Sequence, residues 1–284
     1  RQARVPETQS DDDKLPEALQ RMVHDDPSLV VEHDPIAQRA VLRAVGDAHL
    51  AVALARLQRK SGVSVSTAEV SVPYCRTIAR PVESVGRLKK QSGGHGQFAV
   101  VDLRVSPLER GAGFEFVDAV VGGAIPKHYI AAVRGGIEDA MAGDGASRVP
   151  VVDVRVECLD GKTHSVDSSD QAFRIAAAAG FLDAIEEGGN VLLEPIARLV
   201  VRIPVDTQGE VLGDLSARRG RIVSSETYGD GEQVITAEVP EAEIARYAME
   251  LSALTAGRGR YTAETSHHDV VPEHLVSAAL AGDD

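Results

Sequence analysis

Tryptophan is absent from this 284-residue chain and all aromatics together make up only 4% of it. Any core must therefore be assembled from Val, Ile, Leu and Ala. Cysteine is almost as scarce: Cys75 and Cys158 show no metal-ligand spacing and need not be bonded, which fits a reducing, cytoplasmic location. No apolar run approaches the ~20 residues of a membrane span and no charged-then-apolar leader opens the chain, so no membrane partner is expected. The Gly-rich phosphate loop of nucleoside-triphosphate enzymes is missing as well. Positive charge is the sign in short supply, with 30 basic against 43 acidic residues and a net charge of −13. That balance excludes a protein that coats nucleic acid indiscriminately. It leaves open docking through a few local basic tips.

What is present is enough for packed cores, with 43% hydrophobic residues over a length that suits two or three domains. The positive charge collects in loops: Arg87 to Lys90, Arg218 to Arg221, and Arg258 with Arg260. The first of these leads into Lys89, Lys90, Gln91, Ser92, Gly93, Gly94, His95, Gly96 and Gln97, between an extended arm and the β-branched run from Phe98. Its glycines let the backbone take positive φ and approach another backbone closely. A cationic, flexible hairpin tip on an acidic chain is a contact device for phosphate. A solvated turn with glycines for geometry is the plainer alternative, and the stretch by itself leaves both open.

Taken in order, the first third reads α-β-β-α-β. A helix starts near Ser10 with Leu19, Met22 and Val23 as its buried stripe, and two strands flank Asp34-Pro35. A second helix carries Leu50, Leu54 and Leu57 on one face and closes at Gly62, before a final alternating strand. The last third reads β-α-β-β-α-β, the split β-α-β or ferredoxin-like order, with a hairpin at Gly229 to Gly231. A helix opening at Pro240 is expected to place Ile244, Ala248, Leu251 and Leu254 on one side. By analogy the first third is the same fold, with its first strand either supplied poorly by Arg1 to Thr8 or cut away. The expected domains are 1–69, 70–197 with 270–284 returning to it, and 198–269. In the middle one, a long Ala- and Gly-rich helix after Asp167, its expected N-cap, should lie close against a sheet.

Chemistry candidates are few. His164 stands just ahead of that helix start, where an anion is favoured, although Asp167 and Asp170 partly cancel the field. His267, His268 and Asp269 lack a third ligand at usual spacing, so no metal site is assigned. No arrangement for nucleophilic catalysis is visible, and no catalytic residue is assigned.

Six segments together resemble translation elongation factor G: Gln91 to Gln97, Gly123 to Pro126, His164 with Val166 to Ser169, Leu192 to Ile196, Gly213 to Gly220, and Leu254 to Arg258. They stand in the family's order and cover nearly the whole chain, corresponding to its domains III, IV and V. The resemblance implies an α+β protein in which two ferredoxin-like domains flank an α/β domain like domain 2 of ribosomal protein S5. It implies ribosome and RNA contacts by Lys89, Lys90, Gln91 to Gln97, His164, Asp167 and Ser168 in the decoding region. Arg218, Arg219 and Arg258 would lie near large-subunit, factor-binding RNA. The implied partners are the ribosome and its tRNA–mRNA, the implied state is a monomer, and the implied activity is tRNA–mRNA translocation. No cofactor is expected in this segment; GTP and Mg belong to the family's GTPase domain, which the chain lacks. The family commonly has an aromatic before the tip histidine and an acid after it, where this chain has Thr163 and Ser165. Such departures fit a divergent elongation-factor-G-like paralogue acting in ribosome disassembly, recycling or rescue. A ribosome-protection protein, a nucleotide-independent regulator, and a ribosome-independent enzyme using His164 and Asp167 are the remaining alternatives.

Overall fold

Two ferredoxin-like sheets and one larger α/β layer account for the chain. The computed structural model describes residues 2–6, 9–34, 39–44, 46–63, 65–69, 72–90, 96–143, 149–229 and 231–281. The chain divides into two units. Unit 1 holds Arg1–Pro73, Arg198–Glu264 and Ala281–Asp284; unit 2 holds Tyr74–Ala197 and Thr265–Leu280.

Unit 1 begins with β1 (Gln2–Pro6), α1 (Gln9–Asp25), β2 (Val30–Asp34), β3 (Arg39–Arg43), α2 (Asp47–Ser61) and β4 (Val65–Glu69). The strands lie in the order β2-β3-β1-β4. Of the two alternatives for the first strand, the structure shows Gln2–Pro6 in place, antiparallel to both β3 and β4. The helical spacing of Leu15, Leu19 and Met22 on α1 and of Leu50, Ala53 and Leu57 on α2 carries one buried cluster, which also takes in Leu29, Leu42 and Val63. Each fully buried leucine stabilises this by about 2–3 kcal/mol relative to exposure. Gly62 ends α2 in the left-handed region, φ 64°, its N–H donating to Gln58 O. Asp26, just past α1, accepts from Ser28 and meets His49 Nε2 at 2.8 Å on α2. Those hydrogen bonds, the Ser28 hydroxyl's first, hold its carboxyl down at about 2.

Unit 2 contains β5 (Cys75–Ile78), β6 (Val82–Lys90), β7 (Gln97–Pro107), β8 (Phe114–Asp118), α3 (Lys127–Met141), β9 (Val154–Lys162), α4 (Asp170–Glu187) and the start of β10 (Asn190–Pro204). Its main sheet runs β6-β7-β9-β8. All neighbours are antiparallel except β8 and β9, which are parallel across α3. This is the α/β domain that the resemblance implies. Alternation along β7 sends Ala99, Val101, Leu103 and Val105 into the core, facing Ala172, Phe173, Ala176, Ala177 and Phe181 of α4. Small residues let α4 settle on β6. A Cβ built on Gly86 would meet Ala176 O at 1.9 Å, and one on Gly180 would meet Gly86 N at 2.6 Å.

Unit 1 resumes through β10 into α5 (Gln208–Ala217), β11 (Arg221–Thr227), β12 (Glu232–Pro240), α6 (Tyr247–Leu254) and the first half of β13 (Arg260–Val270), whose residues from Thr265 belong to unit 2. The order β11-β12-β10-β13 repeats that of the first sheet. Val211 and Leu215 of α5 share one core with Tyr247 and Leu251 of α6, so both helices cover the same face. The helix expected from Pro240 is broken. Glu241–Ile244 is a 3-10 turn, α6 starts at Tyr247, and Ala248 is exposed while Tyr247 is fully buried. Ile244 of that turn still packs against the core, as do Leu251 and Leu254 of the expected face, so only Ala248 leaves it. In unit 2, α7 (Glu273–Ala281) follows Val271, whose N–H donates to Leu192 O. Among the described residues no helix is long and apolar enough to cross a membrane.

Candidate nucleic-acid interface

Because β8 and β9 are parallel and β7 runs against both β6 and β9, the end of β6 and the start of β7 lie at the same end of unit 2 as two connections, β8–α3 and β9–α4. Lys89 and Lys90 end β6 opposite Phe98 and Gln97. Gln91, Ser92, Gly93, Gly94 and His95 lie outside the described residues. Gly96 and Gln97 carry the chain into β7, and Gly96 N–H donates to Asp167 Oδ1 at 3.1 Å.

The β9–α4 loop is knitted to that strand by its backbone. Phe98 N–H donates to Asp167 O at 2.8 Å, and Ser168 Oγ donates to Phe98 O at 2.7 Å. Ser168 Oγ also accepts the His164 N–H at 2.9 Å. The N-cap of α4 is Ser169, whose Oγ accepts from Ala172 N. This corrects the expectation of Asp167 in that role: its carboxylate is already engaged with Gly96, and the helix begins at Asp170. His164 is half exposed, its ring 6.0 Å from that of Phe98. Nδ1 lies 3.2 Å from the Asp167 N–H and 3.2 Å from Asp167 Oδ2. A neutral ring accepts the N–H there and keeps its proton on Nε2; an imidazolium donates to the carboxylate instead. Either form has an N–H to offer at Nε2.

In the sequence, Gly123 to Pro126 of the β8–α3 connection carries only the family resemblance, and nothing marks the aromatic support. Tyr129 OH donates to Ser168 O at 3.2 Å and its ring stacks on Phe173, centroids 4.7 Å apart. A Cβ on Gly161 would strike Ile125 at 2.6 Å, so the 125–129 stretch is pressed against the end of β9. The parallel pairing that gathers these loops leaves no local signature in the sequence. Arg104, Arg155 and Arg174 meet carboxylates elsewhere in unit 2. For Arg87, Lys89, Lys90, Lys127 and Lys162 no carboxylate lies within ion-pair distance among the described residues. Acids are also close, since Asp102 stands opposite Asp160. With Asp118 and burial they push the Cys158 thiol up to about 12, burial contributing most.

The arginines of unit 1 are placed differently. Arg218 is partly buried, bidentate to Asp214 at 2.9 and 3.0 Å, in contact with Glu250, and donates to Glu243 O at 2.7 Å. Its guanidinium lies over the Tyr247 ring, 5.3 Å from the centroid. Arg219 takes φ 59° and pairs with Glu243. Arg258 donates to Asp206 and Thr255 O. The acids neutralise a loop that looks cationic in sequence.

His267 and His268 lie in β13, with His268 Nε2 3.8 Å from Cys75 Sγ. Among the described residues no three His, Cys, Asp or Glu side chains are grouped to hold a metal. Gly161-Lys162-Thr163 resembles the end of a phosphate loop, but Val156 stands where its first glycine belongs, and Gly161 and Lys162 close a strand.

Sequence models of elongation factor G match the chain in order: domain III over residues 2–69, domain IV over 70–189 and the C-terminus over 191–279. Elongation factor G-like proteins from Mycobacterium tuberculosis strains CDC 1551 / Oshkosh and ATCC 25618 / H37Rv are each 44% identical over 273 residues. The aligned part is 96% of this chain but only 38% of either relative. A crystal structure of a Thermus thermophilus protein superposes with a TM-score of 0.88 at 41% identity, covering 99% of this chain and 42% of that one. Three contiguous domain matches and relatives of this identity lead to one assignment: the chain belongs to the elongation factor G family and is built from its domain III, domain IV and carboxy-terminal domain.

Proposed function

We propose that the chain is the ribosome-binding portion of an elongation-factor-G-like factor, and that the loop-bearing end of unit 2 docks in the decoding region during tRNA–mRNA translocation. The observation that carries this is the convergence of Lys89, Lys90 and His164 at one end, the His164 loop being pinned to the hairpin by Asp167 and Ser168. The lysines neutralise phosphate, and His164 Nε2–H donates to RNA without a proton-transfer step. Arg219 and Arg258 serve as secondary contacts with large-subunit RNA, whereas Arg218 orders the fold beneath them. GTP hydrolysis, which would time docking and release, requires residues outside this chain.

A second reading is disassembly or recycling of ribosomes by a divergent paralogue. It is favoured by Thr163 and Ser165 beside His164, and by relatives described as elongation-factor-G-like. One variant separates the two. In a full-length protein carrying a GTPase domain, His164→Ala is expected to leave ribosome-stimulated GTP hydrolysis within about twofold of wild type. It is expected to slow the mechanical step by about tenfold, the loss of one charge-assisted hydrogen bond. Slowed mRNA movement identifies a translocase, and slowed subunit splitting identifies a recycling factor. If both steps keep their wild-type rate, His164 has no part in the work.

A further inference from the structure

Asp167 is a negative charge at an end proposed to meet phosphates, so it repels the partner unless its oxygens are otherwise engaged. Oδ1 is engaged in either state of the His164 ring: it accepts the Gly96 N–H at 3.1 Å, while Oδ2, 3.2 Å from His164 Nδ1, accepts from it when the ring is an imidazolium. The main chain of the same residue adds its carbonyl, which accepts the Phe98 N–H at 2.8 Å, and its N–H, which donates to His164 Nδ1 at 3.2 Å when the ring is neutral. The contact is tailored from the hairpin side too, since a Cβ on Gly96 would lie 2.9 Å from Asp167 Cγ. Capping of α4 is done by Ser169, so the carboxylate is not spent on the helix.

We propose that Asp167 is a positioning residue that locks the β9–α4 loop to the hairpin, so that His164 and the lysines of β6 meet RNA as one rigid surface. This rests on the ribosome-binding reading. The carboxylate does not itself contact RNA. Its work is done by one oxygen at Gly96 N–H, and the charge is dispensable. A loop held this way arrives preorganised, whereas a loose one has to be ordered on docking and binds more weakly.

The test uses the full chain in two arms: amide hydrogen exchange at Gly96 and Phe98, and co-sedimentation with ribosomes. Exchange at Val101 and Leu103, in the core of β7, reports the integrity of the fold. Asp167→Ala is expected to speed exchange at Gly96 by about tenfold, the loss of one hydrogen bond. It is also expected to weaken ribosome binding several-fold while leaving Val101 and Leu103 protected. Asp167→Asn keeps an acceptor oxygen and should stay within about twofold of wild type in both arms. Gly96→Ala, which displaces the carboxylate from the other side, should mimic Asp167→Ala, and combining the two should add little. Unchanged Gly96 exchange in Asp167→Ala overturns the proposal, and so does an Asn variant as damaged as the Ala variant. Accelerated exchange with undiminished ribosome binding overturns the positioning role as well. Should the wild-type chain itself fail to sediment, the ribosome reading fails, and the exchange arm still decides whether the clamp exists.

Discussion

Replacing Gly86 with alanine is expected to destabilise unit 2 by about 3 kcal/mol or more, at the upper end for a single substitution. The added Cβ would stand 1.9 Å from Ala176 O and 2.9 Å from Gly180 N. Both obstacles are backbone, so no rotamer change relieves them. Either α4 lifts from β6, giving up the burial of Phe173, Ala177 and Phe181, or the strand bends out of the sheet. Ser84 Oγ donates to Gly180 O at 2.8 Å in the same crossing, and lifting the helix strands that buried hydroxyl. Gly213 in α5 is the control: a Cβ there meets nothing within 4 Å, and Gly213→Ala should stabilise by about 0.5–1 kcal/mol through helix propensity. Denaturant unfolding monitored separately in each unit measures both. A Gly86→Ala midpoint equal to wild type would mean that the close approach of α4 and β6 is not there.

The second large effect is expected at Arg218. Alanine there leaves Asp214 and Glu250 close together without their cation and uncovers the Tyr247 ring. Arg218 and Asp214 are largely shielded but Glu250 is nearly half exposed, so removing the cation is expected to cost about 1–3 kcal/mol. Lysine should recover less than half of that, because it cannot present the fork that spans both oxygens of Asp214 and reaches Glu243 O. Thermal and denaturant unfolding of the two variants decide the matter. If Arg218→Ala is as stable as wild type and impaired only in binding RNA, Arg218 is the contact residue that the family resemblance implies and the ion-pair set is incidental.

The same residue shows where the sequence is legible and where it is not. The first ferredoxin-like domain is legible in periodicity, since Leu19 and Met22, and Leu50 and Leu57, recur at helical spacing and face one core. The close-packed α4 was also readable, from its run of alanines around Gly180. The electrostatics of the Arg218 loop was not. Asp214 is one turn away, but Glu243 and Glu250 come from the far side of a strand pair, and counting charges along the chain never brings them together. Tyr247 escaped notice as a core residue for a related reason. The 3-10 turn at Glu241–Ile244 delays α6 to Tyr247, so Tyr247 takes the buried place expected of Ala248, while Leu251 and Leu254 keep theirs. At the candidate interface the Gly-rich turn and His164 stood out by composition. Tyr129 and Lys127 did not, because only the parallel pairing of β8 with β9 brings their loop to the same end.

The loop-bearing end of unit 2 is proposed to engage ribosomal RNA through a few phosphates. Co-sedimentation of the chain with ribosomes over a series of salt concentrations tests it most directly. With about three phosphates neutralised, log affinity should fall against log salt with a slope of roughly −2 to −3. Changing Lys89 and Lys90 together to alanine should flatten that slope to roughly −1, while leaving unfolding unchanged because both side chains lie at the end of a strand. A slope in the double variant as steep as in wild type, or no sedimentation of the wild-type chain even at low salt, would contradict the claim.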